Sequence, residues 1–134
     1  MKVTLTEGIS GGFLPAQVRK VIKIDTNEGD IEETQLIDQE YVTKSGKLPS
    51  QVLLALTEKV EKLRHLPTEF PPFTSDIYGL DTSIIVEADD FQWGNGAPEG
   101  CSYTEPRVTV TSEHKNEFQD TVSEILSTGQ YALA

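Results

Sequence analysis

The chain has 134 residues, 37% of them hydrophobic and 25% charged, the makeup of one ordinary globular domain (residues 1–134) able to bury a single core. Its net charge of −11 repels phosphates and anionic lipid heads, so nucleic acid and membrane surfaces are excluded as expected partners. One cysteine, Cys101, excludes an internal disulfide framework. With no apolar leader in residues 1–7 and no apolar run near ~18 residues, a cytoplasmic location is predicted.

Residues 2–7 alternate strictly between apolar and polar and predict a strand. Ser10-Gly11-Gly12-Phe13-Leu14-Pro15 follows, then a return strand over residues 18–25 with Val18, Ile22 and Ile24. Together they read as a β-hairpin whose tip carries a bulky apolar side chain. Paired glycines allow backbone conformations closed to other residues, and Pro15 stiffens the exit from the tip. Hairpin tips are usually small and polar. On side-chain physics alone, Phe13 folded back as a core staple and Phe13 as an exposed contact are evenly matched.

Residues 25–40 hold seven acidic residues and no basic one. Asp25-x-Asn27 starts like a calcium loop, but glycine falls at loop position five and Leu36 at position twelve, where six and a glutamate are needed. Residues 27–47 therefore read as a solvated acidic excursion, with Ile31, Leu36 and Ile37 suggesting a short extra strand, and Thr43 to Lys47 read as a turn.

Leu48-Pro49-Ser50 predicts a helix start, with proline in the first turn and a hydroxyl to cap it. Val52, Leu53, Leu56, Val60 and Leu63 form one helical stripe, which must end ahead of Pro67. Residues 67–76 read as a proline-rich linker pinned by Phe70 and Phe73. Asp81 to Ala88 predicts a strand, extended by Phe91, Gln92 and Trp93, and a glycine-rich loop follows over 94–100. Val108 and Val110 predict a last strand that pairs back. Ser112 caps a helix with Phe118, Val122, Ile125 and Leu126 on one face, stopped by Gly129. The order ββαββα predicts an α+β domain: a four-stranded antiparallel meander with two helices packed on one face.

Catalytic signatures are sparse. His65 and His114 sit on helices without a second ligand at metal spacing, so no metal site is expected. Cys101 has no identifiable base, and Glu87, Asp89 and Asp90 read as a solvated strand end, so the chain is not expected to be an enzyme. The Gly94–Gly100 spacing fits no dinucleotide fingerprint and leads into no helix, and no cofactor is expected. For Trp93 and Tyr103, core packing or cross-strand pairing outweighs ligand stacking.

The order of features resembles that of the emfourins, small bacterial and archaeal inhibitors of thermolysin-like (M4) metallopeptidases. The features are Ser-Gly-Gly-Phe at residues 10–13, a strand with Arg19 ending in Ile24-Asp25-Thr26, Leu48-Pro49, an amphipathic helix, Leu66-Pro67, Asp81-x-x-Ile84-x-Val86, Val108-x-Val110 and a final helix. Leu14-Pro15 stands where that family usually has a small residue and glycine, and residues 27–47 and 91–105 are longer. The resemblance implies a reversible inhibitor that occludes a protease cleft through Ser10, Gly11, Gly12, Phe13 and Leu14, the zinc belonging to the protease. One tip is too small for a tight complex of about 1,600 Å². Trp93, Asn95 and Tyr103 are expected to supply a second contact. The alternative is a non-inhibitory α+β module that binds another protein; the sequence leaves its oligomeric state open.

Overall fold

Alternation in the first strand sets the plan of the molecule. In β1 (Lys2–Glu7), Val3 and Leu5 are buried while Lys2 faces solvent. β1 pairs antiparallel with β2 (Lys20–Asp25) on one side and β5 (Thr82–Glu87) on the other. The registers set Val3 between Ile24 and Val86, and Leu5 between Ile22 and Ile84. Directly opposed residues share a sheet face, so these six side chains form one apolar surface, which Ile31 and Trp93 extend.

The computed structural model describes residues 1–9, 17–68, 78–95 and 110–133. It is α+β, with a six-stranded antiparallel sheet in the order β4-β3-β2-β1-β5-β6. β3 spans Asp30–Ile37, β4 Glu40–Lys47 and β6 Gln92–Gly94. Two helices, α1 (Ser50–Glu61) and α2 (Ser112–Leu133), complete it, with a short 3₁₀ turn at Lys62–His65. Leu56 and Val60 of α1 and Phe118, Val122 and Ile125 of α2 join the strand residues in a single buried cluster. Among the described residues, no helix is long and apolar enough to cross a membrane.

The four-stranded meander needs correction. The expected short extra strand at Ile31, Leu36 and Ile37 is β3, but the rest of residues 27–47 is not an irregular excursion: β4 pairs with β3 in a hairpin, and Thr43 to Lys47 lie in β4, not in a turn. The loop from β2 is built on Asp25, whose Oδ1 accepts from the backbone N–H of Asn27 (3.0 Å) and Glu28 (3.4 Å). That acidic side chain organises a turn, as short polar side chains do. The β3–β4 turn is Asp38-Gln39, with φ of 51° and 69°. Both values are positive, as a type I′ turn requires, but neither residue is glycine, so the usual signal is missing.

Four smaller expectations also change. Phe91 to Trp93 do not prolong β5: the chain reverses, Ala88 N donates to Phe91 O (3.0 Å), and β6 pairs back with Val86 opposite Trp93. Ser50 opens α1 without a side-chain cap. At α2 the cap is Thr111, one residue before the predicted one: His114 N donates to Thr111 Oγ1 and Thr111 N donates to His114 Nδ1, both 3.2 Å, a reciprocal cap with histidine in the usual Glu role. Gly129 does not end α2. A Cβ there would lie 3.2 Å from Glu33 Oε2 and 3.3 Å from Ile22 Cδ1, so glycine lets the helix approach the sheet. Residues 69–76 of the linker, with Phe70 and Phe73, lie outside the described residues, as does Val108; Val110 is described and is not in a strand.

The core centres on three rings. Tyr78 stacks on Phe118 at 4.2 Å between centroids, and Trp93 lies 6.1 Å from Phe118. The polar tips are satisfied: Tyr78 Oη donates to Pro67 O (2.5 Å) and Trp93 Nε1 to Leu66 O (3.1 Å). Both bonds tie the end of the α1 segment to the ring cluster. Burial, aided by the Glu117 charge, pushes the Tyr78 phenol above its ordinary value. The unfolded chain releases this proton near pH ~10; the folded chain retains it. Tyr78 therefore adds its full stability below that pH and loses it as pH rises further. In thermal melts between pH 9 and 11, Tyr78→Phe is expected to lose less stability than wild type, although it starts lower for want of the Pro67 bond. Equal losses would exclude this burial effect.

Candidate functional site: the β1–β2 connection

β1 is flanked by strands on both sides, so the connection leaving its C-terminal end is mounted on the interior of the sheet. Gly8 turns the chain there with φ +98°. Its N–H donates to Asp81 O (2.9 Å), bonding the outgoing arm to the segment just before β5. A Cβ on Gly8 would lie 2.2 Å from Gln17 O, so outgoing and returning arms touch at this point. Ile9 is completely buried, anchoring the outgoing arm.

The returning arm is bonded from three directions. Arg19 N donates to Glu7 O (2.9 Å), and Leu36 N donates to Arg19 O (2.8 Å). Tyr41 Oη reaches across from β4 to donate to Val18 O (2.9 Å). The Arg19 guanidinium meets Asp81 Oδ2 at 2.8 Å. This pair is partly exposed and adds little energy by itself, but it links the returning arm to the residue that also holds Gly8. Ser10, Gly11, Gly12, Phe13 and Leu14 lie outside the described residues, so the structure describes their mounting and not the segment.

Trp93 and Asn95 are both buried. Trp93 belongs to the ring cluster. Asn95 Oδ1 accepts from Ile84 N (2.9 Å) and Nδ2 donates to Thr82 O (2.9 Å). Its amide mimics a backbone group and adds a rung to the ladder beyond β6. Gly94 is held by Thr68, whose Oγ1 donates to Gly94 O (2.7 Å). These residues secure this edge of the sheet; residues 96–109, including Tyr103 and Cys101, lie outside the described residues.

The acidic groups are dispersed. Glu87 and Asp89 are exposed, and the hydrogen bond from Arg64 (2.8 Å) holds Asp90 below the usual carboxylate range. Arg64 also lies 4.2 Å above the Phe91 ring, so it clasps the β5–β6 turn by charge and by cation–π contact. Among the described residues, no three His, Cys, Asp or Glu side chains are grouped to hold a metal ion. The bracing partners Tyr41, Leu36 and Asp81 were not foreseen. Nothing local marks them, since each acts across a strand pairing that the sequence left undrawn. No family model and no curated protein matches the chain.

Proposed function

We propose that the chain is a proteinaceous inhibitor of a thermolysin-like metallopeptidase, working in the cytoplasm by reversible occlusion of the active-site cleft. The supporting observation is the double clamp on the β1–β2 connection: Gly8 bonded to Asp81, and Arg19 bonded to Glu7, Leu36 and Asp81. Arms fixed before binding reduce the ordering cost of association. The apolar Phe13-Leu14 pair suits a protease that prefers a bulky side chain just after the scissile bond. Gly11 and Gly12 allow the inhibitor backbone close to the protease zinc. The buried Trp93 and Asn95 serve this reading as supports of the sheet edge rather than as contacts.

Burying the Phe13 side chain in such a pocket contributes roughly 2–3 kcal/mol. Phe13→Ala is therefore expected to weaken inhibition about 30-fold or more at unchanged fold, in a titration against thermolysin-like enzymes that include one from the same genome. Failure of the wild type to inhibit any of them disproves the function. Equal inhibition by Phe13→Ala removes only the anchor.

A further inference from the structure

β4 is an edge strand, and among the described residues no strand pairs with its outer side. Every residue from Glu40 to Lys47 is exposed except the half-buried Gly46. A two-residue turn is closed by a hydrogen-bonded pair, here Ile37 with Glu40. Bonded and non-bonded pairs then alternate, so Tyr41, Thr43 and Ser45 direct their N–H and C=O away from β3. The Thr34–Thr43 hydroxyl contact of 3.0 Å fits the closer approach of a non-bonded pair. Around this unpaired edge lie large apolar groups left in water: Ile37 at 44% exposure, Tyr41 at 55% and Val42 at 41%. An edge of this kind is a template for another strand.

We infer that this edge pairs with a second copy of the chain, β4 antiparallel to β4 about a two-fold axis through Val42, joining two sheets into one. The strand's own charges select this arrangement. A two-fold axis perpendicular to the sheet sets one residue opposite itself and pairs the others symmetrically about it. Centred on Val42, Glu40 faces the partner's Lys44 and Lys44 faces the partner's Glu40. Val42 packs on the partner's Val42 on that face, and Tyr41 faces the partner's Thr43 on the other. Tyr41 and Thr43 are the residues whose backbone groups point outward, so the same register makes the ladder bonds.

Other centres are worse. On Thr43, Val42 meets a lysine and no charges pair; on Lys44, two lysines meet. Centres nearer Gly46 crowd the two α2 ends, because a Cβ on Gly46 would lie 3.0 Å from Leu133 Cδ2. Within one chain Lys44 is already opposite Glu33. In the pair it stands between two carboxylates, an alternation that offsets the −11 charge on each copy where they meet.

The ladder is short and the area below that of a standard interface, so the dissociation constant is expected on the order of 10–100 µM. Sedimentation at 0.15 M salt between about 1 µM and 1 mM, where long-range repulsion is screened beyond ~8 Å, is expected to show a monomer–dimer equilibrium. Glu40→Lys sets lysines against lysines and Lys44→Glu sets glutamates against glutamates. Each variant alone should dissociate at least about tenfold more readily. Mixed in equal amounts, they restore both opposite-charge pairs and should dimerise, which also shows that both are folded. A wild type that stays monomeric throughout overturns the inference and leaves the edge to a foreign strand. Single variants that associate like wild type, or a mixture that does not associate, overturn the register.

Discussion

Phe118→Ala is expected to lower the stability of the fold by about 3–5 kcal/mol, measured by urea denaturation. Phe118 is fully buried, lies in the core cluster and stacks on Tyr78. Its removal forfeits apolar burial and leaves a cavity between α2 and the sheet. The cavity would collapse poorly. Tyr78 and Trp93 are held in place by their bonds to Pro67 and Leu66, so neither ring can move into the space without losing a hydrogen bond that is partly or fully buried. Phe118→Leu, which fills part of the volume, should cost clearly less. A loss below ~1 kcal/mol for the alanine variant would mean that the ring cluster does not carry the packing of α2 on the sheet.

Gly8→Ala is the second large effect, and it tests the link between fold and function. Its φ of +98° is costly for any L side chain. The added Cβ would fall 2.2 Å from Gln17 O, a backbone atom that cannot rotate away. One arm of the β1–β2 connection must shift, and the bonds Gly8 N to Asp81 O and Arg19 N to Glu7 O shift with it. The combined strain is expected to cost about 3 kcal/mol. Under the proposed function, the displaced arms should also weaken inhibition at least about tenfold under conditions where the protein is still folded, because the two arms are then no longer fixed before binding. Full inhibition by a folded but destabilised Gly8→Ala would separate the clamp from the activity. Asp81→Ala is the milder comparison, since it removes the exposed ion pair with Arg19 and leaves the Gly8–Asp81 backbone bond intact.

Much of the core was legible in the chain. β5 is readable from its β-branched run Ile84-Ile85-Val86; β1 and β2 are readable because each has one face in the core and the other turned away from it, and a period of two in Val3 and Leu5 and in Ile22 and Ile24 records that difference directly. The stripes of α1 and α2 were readable for the same reason at the helical period. The stretch Ser10–Pro15 stands out because the apolar bulk of Phe13 and Leu14, beside glycines that do suit a turn, conflicts with the usual chemistry of one.

The edges of the sheet were decided by tertiary structure. Of this hairpin the sequence marks only a short strand at Ile31, Leu36 and Ile37, within β3; β4 goes unmarked because nearly all of it faces water, so no alternation shows, and because Asp38-Gln39 turns without glycine. Gly129 looked like a helix stop, and only the nearness of Ile22 and Glu33 shows that it lets α2 close on the sheet. Asn95 had the composition of a loop residue, yet its amide bonds to strand β5 place it inside. A residue's own chemistry specifies which face it prefers, and that is enough wherever a core divides one face from the other. It does not specify which strand will lie beside it. At an edge, at a close approach and at the base of the β1–β2 connection, the neighbour determines the role.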